Sequence, residues 1–577
     1  MVSRRYDRET REFWRLAWGN LEDFSNAVWK ENQFAIFQSP SSSSAPPFAL
    51  SPSGRFVIAG EVWLSSRTNF MHSFLQRPMS GPLTDLQLIA IAWEQWKTDT
   101  FSKLLGMFAL AVWDREQQVL TLGRDRVGGR TLYYTTAGAV RWIAPCLSWL
   151  NPYHNRSLDA IALRDYLCCA FVPGERTLWQ QVKELRPGSQ LSFPDEVCCP
   201  FWQLPAADKA KAISTPQDSA RQLRTLLDQV VQEALPSEEP VGVFLSGGLD
   251  SSGVTALAAK FHTAPVHTYS IHFGKDSPNE LAFSSLVASH CQTQHHVLEI
   301  TFRQMWEKLP ETMACLDDPI GDPLTVPNLL LGRLAKESVN VVLNGEGGDP
   351  CFGGPKNQPM LLSSLYQADA KSNDSQRLLQ AYLRSFHKCA EDLPQLLKPE
   401  IWQAVHQQPS MFSADLESSD RYLDRLMALN IKFKGADHIL TKVNNLTRAA
   451  GIEGRSPLFD QRIVELSRQI PPEHKLSGAQ EKAVLKQALA DLLPDAILHR
   501  PKSGMMVPVQ LGFYKHWRRK AKSLLLGRNA AIAPYLNQPV LRQWLSYRDD
   551  TWQRYGVKLW LIVSLELWLQ ANNAKRP

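Results

Sequence analysis

The stretch Val241-Gly242-Val243-Phe244-Leu245-Ser246-Gly247-Gly248-Leu249-Asp250-Ser251-Ser252 joins a short apolar run to a glycine turn and a polar helix start. The run Val241 to Leu245 has the pattern of a strand buried on both faces, as in parallel sheets. Helical spacing follows from Ser252 to Lys260. Between them, Gly247 and Gly248 let the backbone turn sharply and bring amide groups close to an anion. Ser251 and Ser252 can cap the helix and offer hydroxyls to phosphate oxygens, and the helix N-terminus adds partial positive charge. Asp250 alone would repel phosphate; it makes sense as a ligand of a Mg²⁺ ion that bridges the phosphates. A bare Ser-Gly-Gly is usually a helix-capping turn, but here a strand precedes it and Asp-Ser-Ser follows. No Gly-Lys-Ser/Thr comes after it, which excludes a Walker A loop.

A second Gly-rich turn, Asn344-Gly345-Glu346-Gly347-Gly348-Asp349, follows the apolar run Val339 to Leu343. Alone it is only a turn; at the end of a neighbouring strand it becomes the opposite wall of a nucleotide crevice, with Asp349 as a second metal ligand. Working outward, Ser219 to Ala234 has helical spacing and Val266 to Phe273 reads as a strand. This alternation predicts a doubly wound α/β domain over 218–577, largely helical beyond about residue 360. Pro205 to Gln217 reads as a linker. Before it, in 1–204, the runs Arg55 to Leu64, Met107 to Trp113, Val119 to Gly123 and Thr131 to Tyr134 predict a sheet-rich domain. The Ser/Pro stretch Ser39 to Pro47 reads as a loop within it.

Composition bounds the rest. The 577 residues carry a net charge of +6 with basic residues scattered along the chain, which gives no nucleic-acid footprint. Nine cysteines without a CxxC pair fit reduced, buried thiols in a cytoplasmic protein. The charged N-terminal stretch is unlike a signal peptide, and the apolar run Leu559 to Leu569 is too short to span a bilayer and contains Glu566. A soluble protein without a membrane partner is expected. His295-His296 has no companion ligands at metal spacing and reads as structural.

The first loop resembles the SGGxDS signature of PP-loop ATP pyrophosphatases, which cleave ATP between the α- and β-phosphates. With it, Gly106 to Tyr134, Phe171-Val172-Pro173-Gly174, Leu185-Arg186-Pro187-Gly188, Asp317-Asp318-Pro319, Gly451 to Asp460 and Arg500-Pro501-Lys502-Ser503-Gly504 are similar to segments of the asparagine synthetase family, in the family's order. The resemblance implies an N-terminal antiparallel sandwich of the Ntn glutaminase type, then a PP-loop synthetase domain with a helical C-terminal part. It implies ATP and Mg²⁺ as cofactors. Leu245, Ser246, Gly247, Gly248, Asp250, Ser251, Ser252, Gly345 and Glu346 would then bind the nucleotide, and Asp250 and Asp349 the metal. Lys502 would reach the phosphates, unless it is a surface lysine. Glu453 would take a proton from the acceptor amine, unless it is a structural partner of Arg455.

Departures from the family pattern bear on the substrate. A working glutaminase needs a cysteine directly after the initiator Met, and position 2 here is valine. Ala59-Gly60-Glu61 stands in place of Asn-Gly-Glu, although Asp85 is kept at a substrate-binding position. Asn344, Pro350-Cys351 and Asn444-Asn445 depart on the acceptor side. β-Lactam synthetases and lasso-peptide cyclases are relatives that lost the same cysteine. Resemblance to them implies an AMP-forming ligase that joins a carboxylate to an amine of the same peptide or amino-acid-derived substrate. The lasso (macrolactam) type is preferred because of the helical expansion between Gly354 and Asp424, and it implies a leader-peptide protease or recognition protein alongside. Ammonia-dependent asparagine synthesis and a non-catalytic scaffold are the alternatives.

Overall fold

The computed structural model describes residues 14–19, 26–31, 33–38, 46–75, 83–207, 213–274, 277, 279–354, 375–418, 420–477, 480–500, 507–547 and 554–573. Val2, Lys502 and most of the Ser39–Pro47 stretch lie outside them. The chain forms two compact units: Met1–Ser157 with Gly174–Leu204, and Leu158–Pro173 with Pro205–Pro577.

In the first unit the strands are β1 (Trp14–Gly19), β2 (Ala27–Glu31), β3 (Phe34–Gln38), β4 (Phe48–Leu50), β5 (Phe56–Leu64) and β6 (Gly106–Asp114). They continue as β7 (Val119–Arg124), β8 (Tyr133–Ala137), β9 (Val140–Ala144), β10 (Val182–Glu184), β11 (Ser189–Phe193) and β12 (Val197–Pro200). Among the described residues they make two antiparallel sheets, ordered β10-β8-β9-β1-β3-β2 and β12-β11-β7-β6-β5-β4. Alternate residues (Trp14 and Leu16, Phe34 and Ile36, Val57 and Ala59, Ala109, Ala111 and Trp113) share one buried core, as period-2 strands packed face to face require. The other face of the second sheet, with Phe56, Ile58, Phe108 and Leu110, packs on the helix Asp85–Trp96 through Leu88, Ile89 and Trp93. Thr84 and Gln87 cap that helix reciprocally. The segment from Gly123 to Arg130 is a structural knot. Fully buried Asp125 accepts the amides of Phe108, Val127, Gly128, Gly129 and Arg130 at 2.8–3.3 Å.

The second unit holds a parallel sheet of β13 (Val241–Phe244), β14 (Val266–His272), β15 (Gln294–Glu299), β16 (Val341–Leu343) and β17 (Glu453–Arg455), in the order β15-β14-β13-β16-β17. Every pairing in it is parallel. The chain first builds outward from β13 on one side and later adds β16 and β17 on the other. The order therefore reverses between β13 and β16, where a doubly wound sheet opens a crevice at its carboxyl edge. Gly242 makes this pairing tight, because a Cβ there would lie 2.8 Å from Val342.

Leu158–Pro173 packs with the second unit, so the expected boundary at 204 misses this early visit. On its helix, Ala160–Cys169, Arg164 donates to the carbonyls of Val405 (3.0 Å) and Gln408 (2.8 Å), and the Tyr166 hydroxyl to Leu561 (2.9 Å). The expected linker is also shorter at its end, since a helix capped by Thr215 starts at Pro216. The apolar run near the C-terminus is a core helix, Tyr555–Asn573. Its buried Glu566 accepts the amides of Ala531 and Ile532 at 2.9 Å each. Among the described residues no helix is long and apolar enough to cross a membrane. One local concentration departs from the expected scatter of basic residues: Lys515, Arg518, Arg519, Lys520 and Lys522 are all exposed on the continuous helical run Phe513–Leu525.

Lys475 is fully buried, and its only hydrogen-bond acceptor among the described residues is Met427 Sδ at 3.4 Å. Burial, reinforced by nearby Arg468, pushes its pKa down to about 7 from the ordinary 10.5. Below pH 10.5 the unfolded chain binds a proton that the folded chain resists, so this lysine costs stability increasingly as pH falls to about 7. Lys475→Met is expected to stabilise the protein by about 1–4 kcal/mol at pH 7 in denaturant titrations, with the gain shrinking as pH rises toward 10.5.

Candidate functional site

The crevice between β13 and β16 is lined by the two glycine turns read from the sequence. Gly247 has φ +76°, and a Cβ there would sit 2.6 Å from the Ser284 amide, so only glycine makes this turn. A side chain at Gly345 would lie 2.5 Å from the Ser251 amide, and one at Gly348 would overlap the Asp250 carboxylate. The second turn thus packs directly against the first. Ser251 Oγ accepts the Ser246 amide (3.2 Å), and Ser246 Oγ accepts the Gly248 amide (3.3 Å) and meets Ser251 Oγ at 3.1 Å. The helix Leu249–Phe261 starts without a side-chain cap, which leaves first-turn amides for an anion.

A cavity of about 320 Å³ opens here, lined by Leu245, Ser246, Gly248, Asp250, Ser251, Gly345, Glu346 and Asp349 among others. Two expected ligands do not line it. Gly247 shapes the turn from beneath, and Ser252, one step further round the helix, is fully buried with no partner for its hydroxyl among the described residues.

The group that organises this site was not read from the sequence. Lys482 is buried, and its ammonium contacts Asp250 Oδ2 at 2.5 Å and pairs with Asp349 as well. Burial works against the charge, but attraction to the two carboxylates overcomes it and holds the pKa above the ordinary lysine value. Lys482 sits in the left-handed region (φ 53°) at the start of the helix Ala483–Ala488, within a polar stretch that carries no glycine signature. Arg500 also lines the cavity, donates to the Gly247 carbonyl at 2.9 Å, pairs with Glu280 and lies 4.0 Å over Phe283.

A second cavity of about 260 Å³ shares Asp250, Leu324, Gly345, Glu346, Asp349 and Lys442 with the first. It adds Asp322, Phe386, Lys388, Lys434 and His438. The helix through Lys434 and His438 widens to π geometry over Asn430–Leu440, a form that recurs at functional sites. Asp322 holds Lys442 at 2.8 Å and faces His438 at 3.5 Å. Burial favours the neutral acid of Asp322, but Lys442 and His438 pull its pKa well below the carboxylate range. His438 is pushed down to about 4, chiefly by burial. Burial raises the Glu346 carboxyl, with a smaller push from Asp349 against the pull of Lys442. The Asn344 side chain accepts the Glu346 amide at Oδ1 (3.0 Å) and donates from Nδ2 to the Arg455 carbonyl (3.1 Å), so this departure from the family pattern braces the turn.

Glu453 is not brought to the site. It pairs with Val341 at the amino end of the sheet, opposite to both cavities, and its carboxylate holds Arg455 at 2.9 Å. The structural alternative is the one that forms. In the first unit, Asp85 spends its oxygens on Arg67 (2.7 Å) and the Leu64 amide (3.0 Å), and Ala59 is wholly buried in the sandwich core.

The donor set fits a divalent ion held between protein and phosphates. Among the described residues Asp250 Oδ1 is buried without a hydrogen-bond partner while Oδ2 meets Lys482, and the Asp349 side chain, which pairs with the same ammonium, is 40% exposed. One or two carboxylates completed by phosphate oxygens and water is the usual Mg²⁺ arrangement.

Phosphate-cradling amides, paired carboxylates and a buried lysine at the switch point define a nucleotide-dependent ligase of the PP-loop class. Residues 222–570 match the asparagine synthase family and 39–202 a glutamine amidotransferase domain, so the chain belongs to the asparagine synthase family. It is similar to glutamine-hydrolysing asparagine synthetase 1 of Bacillus subtilis, at 25% identity over 85% of this chain and 82% of the relative. Asparagine synthetase 3 of the same organism is 28% identical over 73% and 70%. Amidase chyE of Penicillium rubens is 22% identical over 77% and 76%. As a member of this family the chain is an ATP-dependent, AMP-forming carboxylate–amine ligase that uses Mg²⁺.

Lys482→Met is expected to lower substrate-dependent pyrophosphate release by roughly 10²–10³-fold, since it strands two carboxylates facing the leaving group. Gly348→Ala should do as much by pushing Asp250 aside, with the melting temperature nearly unchanged. Near-normal release in either variant would contradict the site as drawn.

Proposed function

We propose that the chain adenylates a substrate carboxylate in the first cavity and transfers the acyl group to an amine of the same molecule held in the second. Closure of a macrolactam of the lasso-peptide kind is the preferred form of this reaction. The observation that carries it is the shared wall: Asp250, Gly345, Glu346, Asp349 and Lys442 border both cavities, so an acyl group activated in one is within reach of a nucleophile in the other.

The residues divide the work. Loop amides and Ser246 hold phosphate oxygens, and Arg500 fixes the loop through the Gly247 carbonyl. Asp250 and Asp349 would hold Mg²⁺, which neutralises the departing pyrophosphate. Lys482, already charged and buried, faces the negative charge that grows when the carboxylate attacks the α-phosphorus. The Glu346 carboxyl, raised by burial, is suited to take the proton lost by the attacking amine, the task expected of Glu453. Lys442 stays charged through Asp322 and can steady the acyl oxygen. An amine carried by the substrate is supported by Ala59, a core residue with no amide to offer a glutamine. A leader-peptide protease or recognition protein belongs to the macrolactam form.

A second reading, ammonia-dependent amidation of aspartate, draws on the names of the relatives and on the modest volume of the second cavity. Both are tested by pyrophosphate release combined with product mass. Intramolecular closure predicts a product lighter than the substrate by one water, formed without ammonium. Release only with aspartate plus ammonium would replace the first reading by the second. In either case Glu346→Gln should lower amide formation roughly 10²-fold, and Glu453→Gln should stay within about threefold of wild type.

A further inference from the structure

The basic helical run Phe513–Leu525 takes no part in either cavity, since none of its residues lines them. Its apolar side is spent on the protein: Phe513, Trp517, Ala521 and Leu525 recur every fourth residue and are buried. The opposite side carries Lys515, Arg518, Arg519, Lys520 and Lys522, all exposed, with members three or four positions apart facing each other. Like charges at that spacing repel, and the surroundings supply little to offset them. Between Asp495 and Asp549 the sequence holds ten lysines and arginines and no acidic residue. The rest of the chain, with 53 basic against 57 acidic residues, is slightly negative. Of the helices packed on the run, Gln538–Ser546 has no carboxylate and adds the exposed Arg542. Tyr555–Asn573 has only Glu566, which is fully buried. On Phe302–Ala314, Glu307 is held by Arg303 at 2.8 Å, and Glu311 by Lys308 and Arg333. Arg518 donates to the Ser546 carbonyl at 3.1 Å; among the described residues none of the other four cations has an ion-pair partner.

A fixed cationic face without its own counter-ions suits an anionic partner. An acidic peptide would need a groove or an apolar anchor, because exposed ion pairs are individually weak and ordering the peptide opposes them. This face is an exposed helix side that neither cavity reaches. Single-stranded nucleic acid needs a platform of aromatic rings, and a duplex major groove needs a helix free to enter it, whereas this one is packed along its apolar side. An anionic bilayer is already ordered and meets an exposed helix side without a groove. It also accounts for Tyr514, directly before Lys515. At 63% it is the most exposed large apolar side chain among the described residues, and tyrosine favours the headgroup level of a bilayer. We propose that the run Phe513–Leu525 is a peripheral docking surface for membranes rich in anionic lipid. The expectation of no membrane partner came from the lack of a spanning segment, which a peripheral contact does not need. The proposal goes beyond the ligase reading and stands independently of it. Each lysine or arginine close to an anionic leaflet contributes about fivefold in partitioning.

The test is flotation of the full chain with vesicles of phosphatidylcholine alone or mixed with about one-third phosphatidylserine. Wild type is expected to bind the anionic vesicles at least about tenfold better at roughly 0.1 M salt, and to lose most of that binding at roughly 0.5 M. Lys515→Gln, Arg519→Gln and Lys522→Gln should each weaken it about three- to fivefold, and the three together roughly 30- to 100-fold. Tyr514→Ala should weaken it severalfold. Arg221→Gln, which removes an exposed cation from the helix Pro216–Ala234, should stay within about twofold of wild type. An unchanged melting temperature reports that each variant is folded. The proposal is overturned if wild type binds both kinds of vesicle alike or if the triple variant keeps the preference. It is equally overturned if a DNA duplex or polyglutamate binds wild type more tightly than the anionic vesicles at the same salt. Should the triple variant fail to fold, the single substitutions decide by the same criterion.

Discussion

A buried ammonium cannot stand alone. Lys482 is withdrawn from water, and the cost of burying one unpaired ion is several kcal/mol, so its position holds only while Asp250 and Asp349 face it together. Those two carboxylates come from turns after different strands, brought side by side by the parallel register of β13 and β16. The turns must therefore touch, which removes side chains at Gly345 and Gly348. Strand order, glycine placement and the charge pattern of the crevice are one connected constraint, and the cavities on either side inherit their shapes from it.

Much of this was legible. Period-2 apolar runs with turn signals gave the antiparallel first unit, and the alternation after Pro205 gave the parallel sheet, because burial pattern follows strand environment directly. Both glycine turns were found, since a backbone that must approach a phosphate or another backbone leaves glycine as its trace. Lys482 was missed for the opposite reason. It is one lysine in a polar stretch, and its meaning depends on partners 232 and 133 residues earlier in the chain. Ser252 and Glu453 show the complementary error. Each sits in a motif segment, yet helix phase turns Ser252 into the core and strand direction puts Glu453 at the far end of β17.

The second cavity was not legible in the sequence. Its basic side chains come from the π-wound helix (Lys434, His438), the helix that continues it (Lys442) and the turn at His387 (Lys388), and none of these has a local sequence signature. A π turn needs one extra residue per hydrogen-bonded ring, a property of tertiary packing, here with Gly435 so close to Phe459 that no Cβ would fit.

Lys482 also determines what the pocket is before nucleotide arrives. With its ammonium between two carboxylates, the crevice carries its own internal counter-ion. Phosphate oxygens placed here would offer the ammonium a second set of partners, and a metal ion would offer the carboxylates one; a ligand that brought both would compensate for the contacts it displaced.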